Sequence, residues 1–428
     1  MPQNNTVSRK RFLKICGTAT ASTVLASSWS GLFLGCDDAA SEYIILKNGS
    51  AYIEGKYLPC DILIRSGMVA EIDTTLTMID RYSSLISEKS PEIIDCTGLY
   101  IAPGWVDMHC HIGGMGLDPF YLGPKMGVTA LVDAGTYGPG TFSSFLKSYW
   151  KKSEIPMFCF LNVRKDGIKL TNMFTFNNPG VEDVEGAAGL TAKYPDIIRG
   201  LKVRIDRSNT SRTYPTFLSE TTARLGAELG LPVMYHLGES QATSGRPNIS
   251  DFLANTKEGD IITHFLRNTT NSALNPSWEI RPEVAAAKSE GVRFDVGHGK
   301  ESFMFDTAAA ALDRGFTDFT ISSDLHCLSY SDKALTFCNV ISKFLALGLS
   351  IEDITEKASV APRTMLGLEP AIALNKKIDL TVFSVREEPS SYYDAGWNKM
   401  AFDKRIYPEY TIVNGACVRA GAQDRLRF

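Results

Sequence analysis

Short apolar segments alternate with amphipathic segments through the middle of the chain. Eight apolar segments have the length and composition of buried strands: residues 100–109, 128–133, 156–163, 197–204, 231–236, 260–264, 292–298 and 319–324. Alanine and leucine recur at helical spacing in several intervening segments, namely residues 217–229, 282–290, 303–314 and 332–347. Eight strand-helix units predict a parallel (β/α)8 barrel. A doubly wound open sheet is the alternative, but no glycine-rich phosphate-binding motif follows an early strand.

The two ends of the chain have a different pattern. Short alternating strands with turn residues between them are indicated at residues 43–49, 60–67, 68–72, 377–384 and 410–418. Because the two ends share this character, we expect residues 42–100 and 370–428 to build one composite β-sandwich domain. Residues 101–369 would then form the barrel.

The first 36 residues have the architecture of a signal peptide. An uncharged stretch, residues 15–35, follows a basic group formed by Arg9, Lys10, Arg11 and Lys14. Residues 8–14 resemble a twin-arginine export signal with Lys10 in place of the second arginine, and Cys36 ends a segment that resembles a bacterial lipoprotein cleavage box. We expect export to the periplasmic side of a bacterial membrane with Cys36 lipidated. An uncleaved membrane anchor is the alternative.

Composition and charge limit the kinds of molecule that the protein is expected to bind. The 428-residue chain is 44% hydrophobic and carries a net charge of only −4, with its lysines and arginines dispersed. This distribution excludes a nucleic-acid-binding stripe and favours a small-molecule substrate. Nine cysteines are too few for a disulfide scaffold in a chain of this length. Cys60 and Cys96 fall in the same predicted domain and could pair, which the sequence alone does not decide.

All six histidines lie at or just beyond the end of a predicted strand. They are His109, His111, His236, His264, His298 and His326. On an extended strand residues two apart face the same side, so His109 and His111 can reach one ion while Cys110 points away. Asp324 ends the last strand. Because the active sites of such barrels lie at the carboxyl ends of the strands, these side chains predict a metal site there.

Lys202 lies in an apolar segment near the end of the fourth strand. Burying its ammonium would be costly, and a positive charge would repel a metal. The neutral amine, however, can add carbon dioxide to form a carbamate, an oxygen ligand that bridges two cations. The alternative is a lysine whose head group reaches solvent.

The segment Ala102-Pro103-Gly104-Trp105-Val106-Asp107-Met108-His109-Cys110-His111 resembles the first-strand signature of the amidohydrolase superfamily. The segments that contain Lys202, His236, His264, His298 and Asp324 are similar to those of its dihydroorotase-like deacetylase branch. The resemblance implies two divalent metals, usually zinc. It implies that His109, His111 and Asp324 hold one metal and that His236 and His264 hold the other, with carbamylated Lys202 and a hydroxide between them.

These ligand types fit hydrolytic chemistry. Imidazole and carboxylate ligands suit zinc, and zinc-bound water becomes a nucleophile near neutral pH. Asp324 can then move a proton from the hydroxide to the leaving group. We expect hydrolysis of an amide or acyl ester in a small carboxylate-bearing compound, as in a deacetylase.

Four further residues are candidates for contact with the substrate. His298 is flanked by glycines that allow close approach of a ligand, and His326 follows Asp324 by two residues. Arg204 ends the fourth strand and Arg164 follows the third, so either could clamp a substrate carboxylate.

Other functions fit the same pattern. A cyclic amidase of the dihydroorotase or hydantoinase type would use the same metal centre with a different pocket. A D-aminoacylase-like enzyme would more often depend on one metal. A lipoprotein that binds metal or ligand without catalysis is also conceivable, but such a protein has no need of Asp324 beside a hydroxide.

Overall fold

The computed structural model describes residues 41–113, 118–172, 175–206, 209–211, 213–238, 248–269, 271–329 and 336–421. The predicted signal segment, with Cys36, lies outside these residues. Among the described helices, none is both long enough and apolar enough to cross a membrane. Cys60 and Cys96 are buried free thiols, so they do not pair.

Strands and helices alternate along most of the chain. The strands are β1 (Tyr43–Ile53), β2 (Lys56–Arg65), β3 (Met68–Asp73), β4 (Glu92–Asp95), β5 (Tyr100–Pro103), β6 (Trp105–Cys110), β7 (Val128–Ala134), β8 (Met157–Asn162), β9 (Ile198–Ile205), β10 (Val233–Leu237), β11 (Ile261–Thr263), β12 (Arg293–Asp295), β13 (Leu380–Tyr393), β14 (Lys399–Val413) and β15 (Ala416–Arg419). The helices are α1 (Met78–Arg81), α2 (Ser83–Lys89), α3 (Pro119–Leu122), α4 (Phe142–Ser148), α5 (Val184–Lys193), α6 (Phe217–Leu229), α7 (Ile249–Leu253), α8 (Pro282–Ser289), α9 (Phe305–Asp313), α10 (Phe337–Ala346), α11 (Ile351–Thr355) and α12 (Ala361–Leu366). A π-helical turn, Glu356–Val360, joins α11 to α12.

The central sheet is a parallel barrel. Strands β6 to β12 pair side by side in the order of the chain. Residues 320–325 close the gap between β12 and β6 through two isolated bridges, Asp295 to Thr320 and Cys110 to Leu325. The predicted (β/α)8 barrel is therefore confirmed. Its eighth strand is an irregular extended segment, because Asp324 has a φ of 47° and a left-handed residue cannot continue a regular ladder.

Local sequence signals explain the barrel helices. Helix α6 spans the predicted residues and ends at Gly230, whose φ of 66° gives it a left-handed conformation. Helix α8 begins with a proline in its first turn, where no backbone donor is lost. The Thr336 side chain accepts a hydrogen bond from Asn339 N and so caps α10.

Strands from both ends of the chain form the second sheet. Its order is β15-β14-β13-β5-β1-β2-β3, and β4 pairs with β1 outside this path. The sequence predicted a single strand over residues 100–109, which is wrong: β5 belongs to this sheet and β6 to the barrel. The chain changes sheets at Gly104, which packs so closely that a Cβ there would lie 2.1 Å from Thr129 Oγ1.

The β13–β14 hairpin extends beyond the other strands of the second sheet. Its far part lies against α10, where Ile406 N donates to Ser342 Oγ at 3.0 Å. Tyr392 Oη and Arg405 Nη2 both donate to Asn339 Oδ1, each at 2.9 Å. The second sheet thus extends onto a helix of the barrel, and the hairpin tip, residues 393–398, reaches the side of the barrel that carries the strand ends.

Candidate metal centre

Two histidines and one aspartate meet where the eighth segment closes the barrel. His109, in β6, and His111, directly after it, face the same side, and Cys110 between them is buried on the other. Asp324 Oδ1 lies 3.5 Å from His109 Nε2 and 3.2 Å from His111 Nε2. One potential ligand atom from each of the three residues lies within 4.8 Å of the others. The three residues predicted to hold the first metal therefore lie together.

Hydrogen bonds behind the rings fix their direction. The Thr263 hydroxyl donates to Asp295 Oδ2 at 2.8 Å, so it must accept from His109 Nδ1, which lies 3.0 Å away. His111 Nδ1 lies 2.7 Å from Thr136 Oγ1. The proton of His109 is thereby placed on Nδ1, and the Nε2 lone pair faces Asp324. Sequence reasoning missed these supporting residues.

A second pair of histidines lies at the ends of two adjacent strands, β10 and β11. His236 is in β10 and His264 follows β11, and His264 Nε2 lies 2.8 Å from His236 Nδ1. His264 Nδ1 donates to Gly297 O at 2.6 Å, which leaves the Nε2 lone pair facing His236. Two nitrogen ligands of a tetrahedral zinc lie about 3.4 Å apart. A shift of well under 1 Å between the rings would therefore let this pair hold an ion.

Lys202 lies beside the first of these groups. Its side chain is completely buried in β9, and Nζ lies 3.4 Å from His109 Nε2 and 3.3 Å from Met234 Sδ. Gly135 makes room for it, because a Cβ there would lie 2.5 Å from Lys202 Cγ. Burial lowers the pKa of Lys202 to about 7, against the opposing effect of nearby carboxylates. A neutral amine is thus accessible near neutral pH.

The electrostatics of the site suit metal ligands. Burial lowers the pKa of His109, His236 and His264 below the ordinary value of histidine. Burial opposes ionisation of Asp324, but the imidazoles around it, led by His109, hold its pKa well below the ordinary range. Low pKa values favour the deprotonated forms of the histidines and of the aspartate, which are the forms that bind a metal.

Two of the residues adopt strained backbone conformations. His264 has a φ of 75° and Asp324 a φ of 47°, in the left-handed region that few side chains favour. Each therefore costs conformational free energy that the surrounding structure must offset. Such strain is often found at functional sites, and His264 and Asp324 both belong to the candidate metal centre.

The ring of His298, which the sequence predicts to contact the substrate, meets protein atoms through both of its nitrogens. Its side chain is 1% exposed, Nδ1 donates to Gly299 O at 2.9 Å, and Nε2 lies 2.8 Å from Lys343 Nζ. The ring also stacks on Phe303 with 4.6 Å between centroids. Because both ring nitrogens are engaged with the protein, His298 supports the site from behind.

The other predicted substrate contacts lie around the ligands. His326 is half-buried with its ring centroid 5.9 Å from that of His111, and its Nδ1 accepts from Leu328 N, so Nε2 is the atom that can meet a ligand. Arg204 lies two residues beyond Lys202 on β9 and is the register partner of His236. Together with Arg164 it lines a recess at the ends of β8 and β9.

Comparison with known proteins places this arrangement in a family. No family model matches the chain. Deacetylases of Brucella anthropi and Enterococcus faecalis are 28% and 27% identical to it, over 79% and 87% of this chain and 84% and 98% of theirs. A solved dihydroorotase superposes with a TM-score of 0.78 at 25% identity and covers 89% of this chain and 100% of its own. Over most of its length the chain is therefore similar to enzymes of the dihydroorotase-like branch of the amidohydrolase superfamily.

Proposed function

We propose that the protein is a metal-dependent hydrolase that removes an acyl group from a small carboxylate-bearing substrate. The observation that carries the proposal is the meeting of His109, His111 and Asp324 beside the buried Lys202. The pair of His236 and His264 lies next to this group, with the His264 ring centroid 5.0 Å from that of His109. The similarity to proteins named deacetylases supports the acyl group as the part removed.

The donor set fits two divalent ions, zinc in the first instance. His109, His111 and Asp324 would hold one ion, His236 and His264 the other, and carbamylated Lys202 would bridge them. Bound there, the metals would supply an acidified water and a polarised substrate carbonyl. Carbon dioxide is needed for the bridge, because only the carbamate, and not the amine, offers two oxygens.

Asp324 is the residue that we assign to proton transfer. Its Oδ1 faces the two imidazoles, and its Oδ2 faces Gly299, where a Cβ would lie only 2.4 Å away. The ionised carboxylate can accept a proton from the attacking water and deliver it to the leaving nitrogen or oxygen. A substituted residue at Gly299 would occupy the space beside this oxygen.

The recess at the ends of β8 and β9 suits the carboxylate of the substrate. Arg164 Nη1 donates to Asn177 Oδ1 at 2.9 Å, and Asn177 Nδ2 donates to Arg204 O at 3.1 Å. The remaining lining is largely amide and apolar: Asn162, Asn172, Asn209, Gly167, Ile168 and Leu218. Guanidinium groups among amides recognise carboxylates by charge-assisted hydrogen bonds.

If the recess binds the substrate carboxylate, Arg204→Gln should weaken substrate binding. We expect KM for an N-acetyl amino acid to rise about 10- to 100-fold with a smaller change in kcat, the size of one charge-assisted hydrogen bond. The corresponding N-acetyl amino acid amide, which lacks the charge, should be hydrolysed equally by both proteins. Arg224→Gln, on the exposed face of α6, is the control. An equal effect on acid and amide would argue against the assignment.

Metal removal tests the proposed function as a whole. We expect elemental analysis of the purified protein to give two divalent ions per chain, and chelation to abolish hydrolysis until zinc and bicarbonate are restored. The substrates are N-acyl amino acids, O-acyl hydroxy acids and cyclic amides. Hydrolysis that survives in metal-free protein would refute the proposal.

A cyclic amidase is the second candidate function. The superposition on a dihydroorotase favours it, because the match covers that chain completely. Ring opening would use the same ligands, with the amide nitrogen remaining attached to the product. Hydrolysis of the cyclic amides alone would select this candidate over the deacetylase.

A further inference from the structure

One buried cation has no part in the proposed chemistry. Lys343, in α10, is 1% exposed, and its Nζ lies 2.8 Å from His298 Nε2 and 2.8 Å from Tyr393 O. Three aromatic rings surround the ammonium, with centroids 5.6 to 5.8 Å away: Phe303, Phe305 and Tyr392. Hydrogen bonds and cation–π contacts offset part of the cost of burying this charge.

The Lys343 ammonium determines which ring nitrogen of His298 carries the proton. Because a protonated lysine has only donors, His298 Nε2 must accept from it. The proton of the neutral imidazole then lies on Nδ1, which donates to Gly299 O at 2.9 Å. Lys343 therefore fixes both the tautomer of the ring and the backbone position that follows it.

The glycines on either side of His298 touch two of the metal-ligand residues. Gly297 O accepts from His264 Nδ1 at 2.6 Å. Gly297 and Gly299 have φ values of 50° and 52°, and a Cβ at Gly299 would lie 2.4 Å from Asp324 Oδ2. A movement of this turn would therefore change the direction of the His264 lone pair and the space beside Asp324.

We infer that Lys343 is a positioning residue of the metal centre, which acts through His298 on His264 and Asp324. The inference rests on the proposed function. The hairpin tip also supports the ammonium, through Tyr393 O. The neighbouring Asp394 is anchored to the start of α9, where Phe305 N donates to its Oδ2 at 3.2 Å. The second sheet thus helps to hold the ligands.

The test is the zinc affinity of Lys343→Met, measured by competition with a fluorescent chelator in bicarbonate buffer. Methionine keeps the length and packing but cannot donate. We expect zinc to bind about 10- to 100-fold more weakly, as for other residues that orient metal ligands, and kcat/KM at saturating zinc to fall less. Lys343→Arg keeps donors and should recover part of the affinity. Lys357→Met is the control, since that lysine is 7% exposed and packs over Phe319.

His298→Gln keeps the inference testable if Lys343→Met does not fold. It should weaken zinc binding by a similar factor, and the double variant should add little to either change, because both act through one contact. Folded Lys343→Met or His298→Gln with wild-type zinc affinity would overturn the positioning role alone. A wild-type protein that binds no zinc would instead overturn the proposed function.

Discussion

Asp324→Asn is expected to lower kcat/KM by about 10³-fold or more without unfolding the protein. The amide cannot accept the proton of the attacking water, and general acid–base groups of this kind contribute about 10²- to 10⁴-fold. It is also a poorer metal ligand than a carboxylate. Asparagine tolerates the φ of 47° at this position as well as aspartate does, so the backbone should stay in place.

The measurement combines steady-state kinetics with metal content and thermal unfolding. Asp318→Asn, at an exposed position just before the same barrel segment, is the matched control and should behave as wild type. If Asp324→Asn keeps both metals and loses less than tenfold in kcat/KM, Asp324 is not the proton carrier.

Lys202→Ala is expected to abolish measurable turnover and to release metal. The residue is completely buried between His109 and Met234, and as a carbamate it would be the one ligand shared by both ions. Alanine also leaves a cavity, which by itself costs stability. Lys202→Met separates these effects, because methionine fills the space but cannot form a carbamate.

Both Lys202 variants should be inactive, with Lys202→Met the more stable to heat. Elemental analysis should give fewer than two ions per chain. Wild-type protein in ¹³C-labelled bicarbonate should show a carbamate carbon signal by NMR that both variants lack. Activity in Lys202→Met near that of wild type would restrict the lysine to a packing role.

The barrel and the convergence of its histidines could be predicted because both follow from local pattern. Apolar segments of strand length place their last residues at one end of a parallel barrel, so histidines such as His109 and His264 converge. The change of sheet at Gly104 has one local signal, the Pro103-Gly104 dipeptide, but that signal does not tell which sheet each half of the segment joins. It depends on Thr129 packing against the glycine from another strand.

The contacts of His298 could not be predicted either, because they also depend on distant parts of the chain. Its flanking glycines do indicate close approach, and the structure has such an approach to His264 and Asp324. The direction of the ring depends on Lys343 and on Tyr393, which lie far along the chain. Contacts between distant segments are decided by tertiary packing, and no periodicity in either segment reports them.

The reach of the β13–β14 hairpin has a consequence for biosynthesis. All the predicted ligands have left the ribosome once residue 324 has emerged, whereas the carbonyl that supports Lys343 belongs to Tyr393. A nascent chain or a truncated product that ends before β13 would carry every ligand but lack this support. We therefore expect tight metal uptake to follow completion of the polypeptide, so that partly made chains compete poorly for the cell's metal.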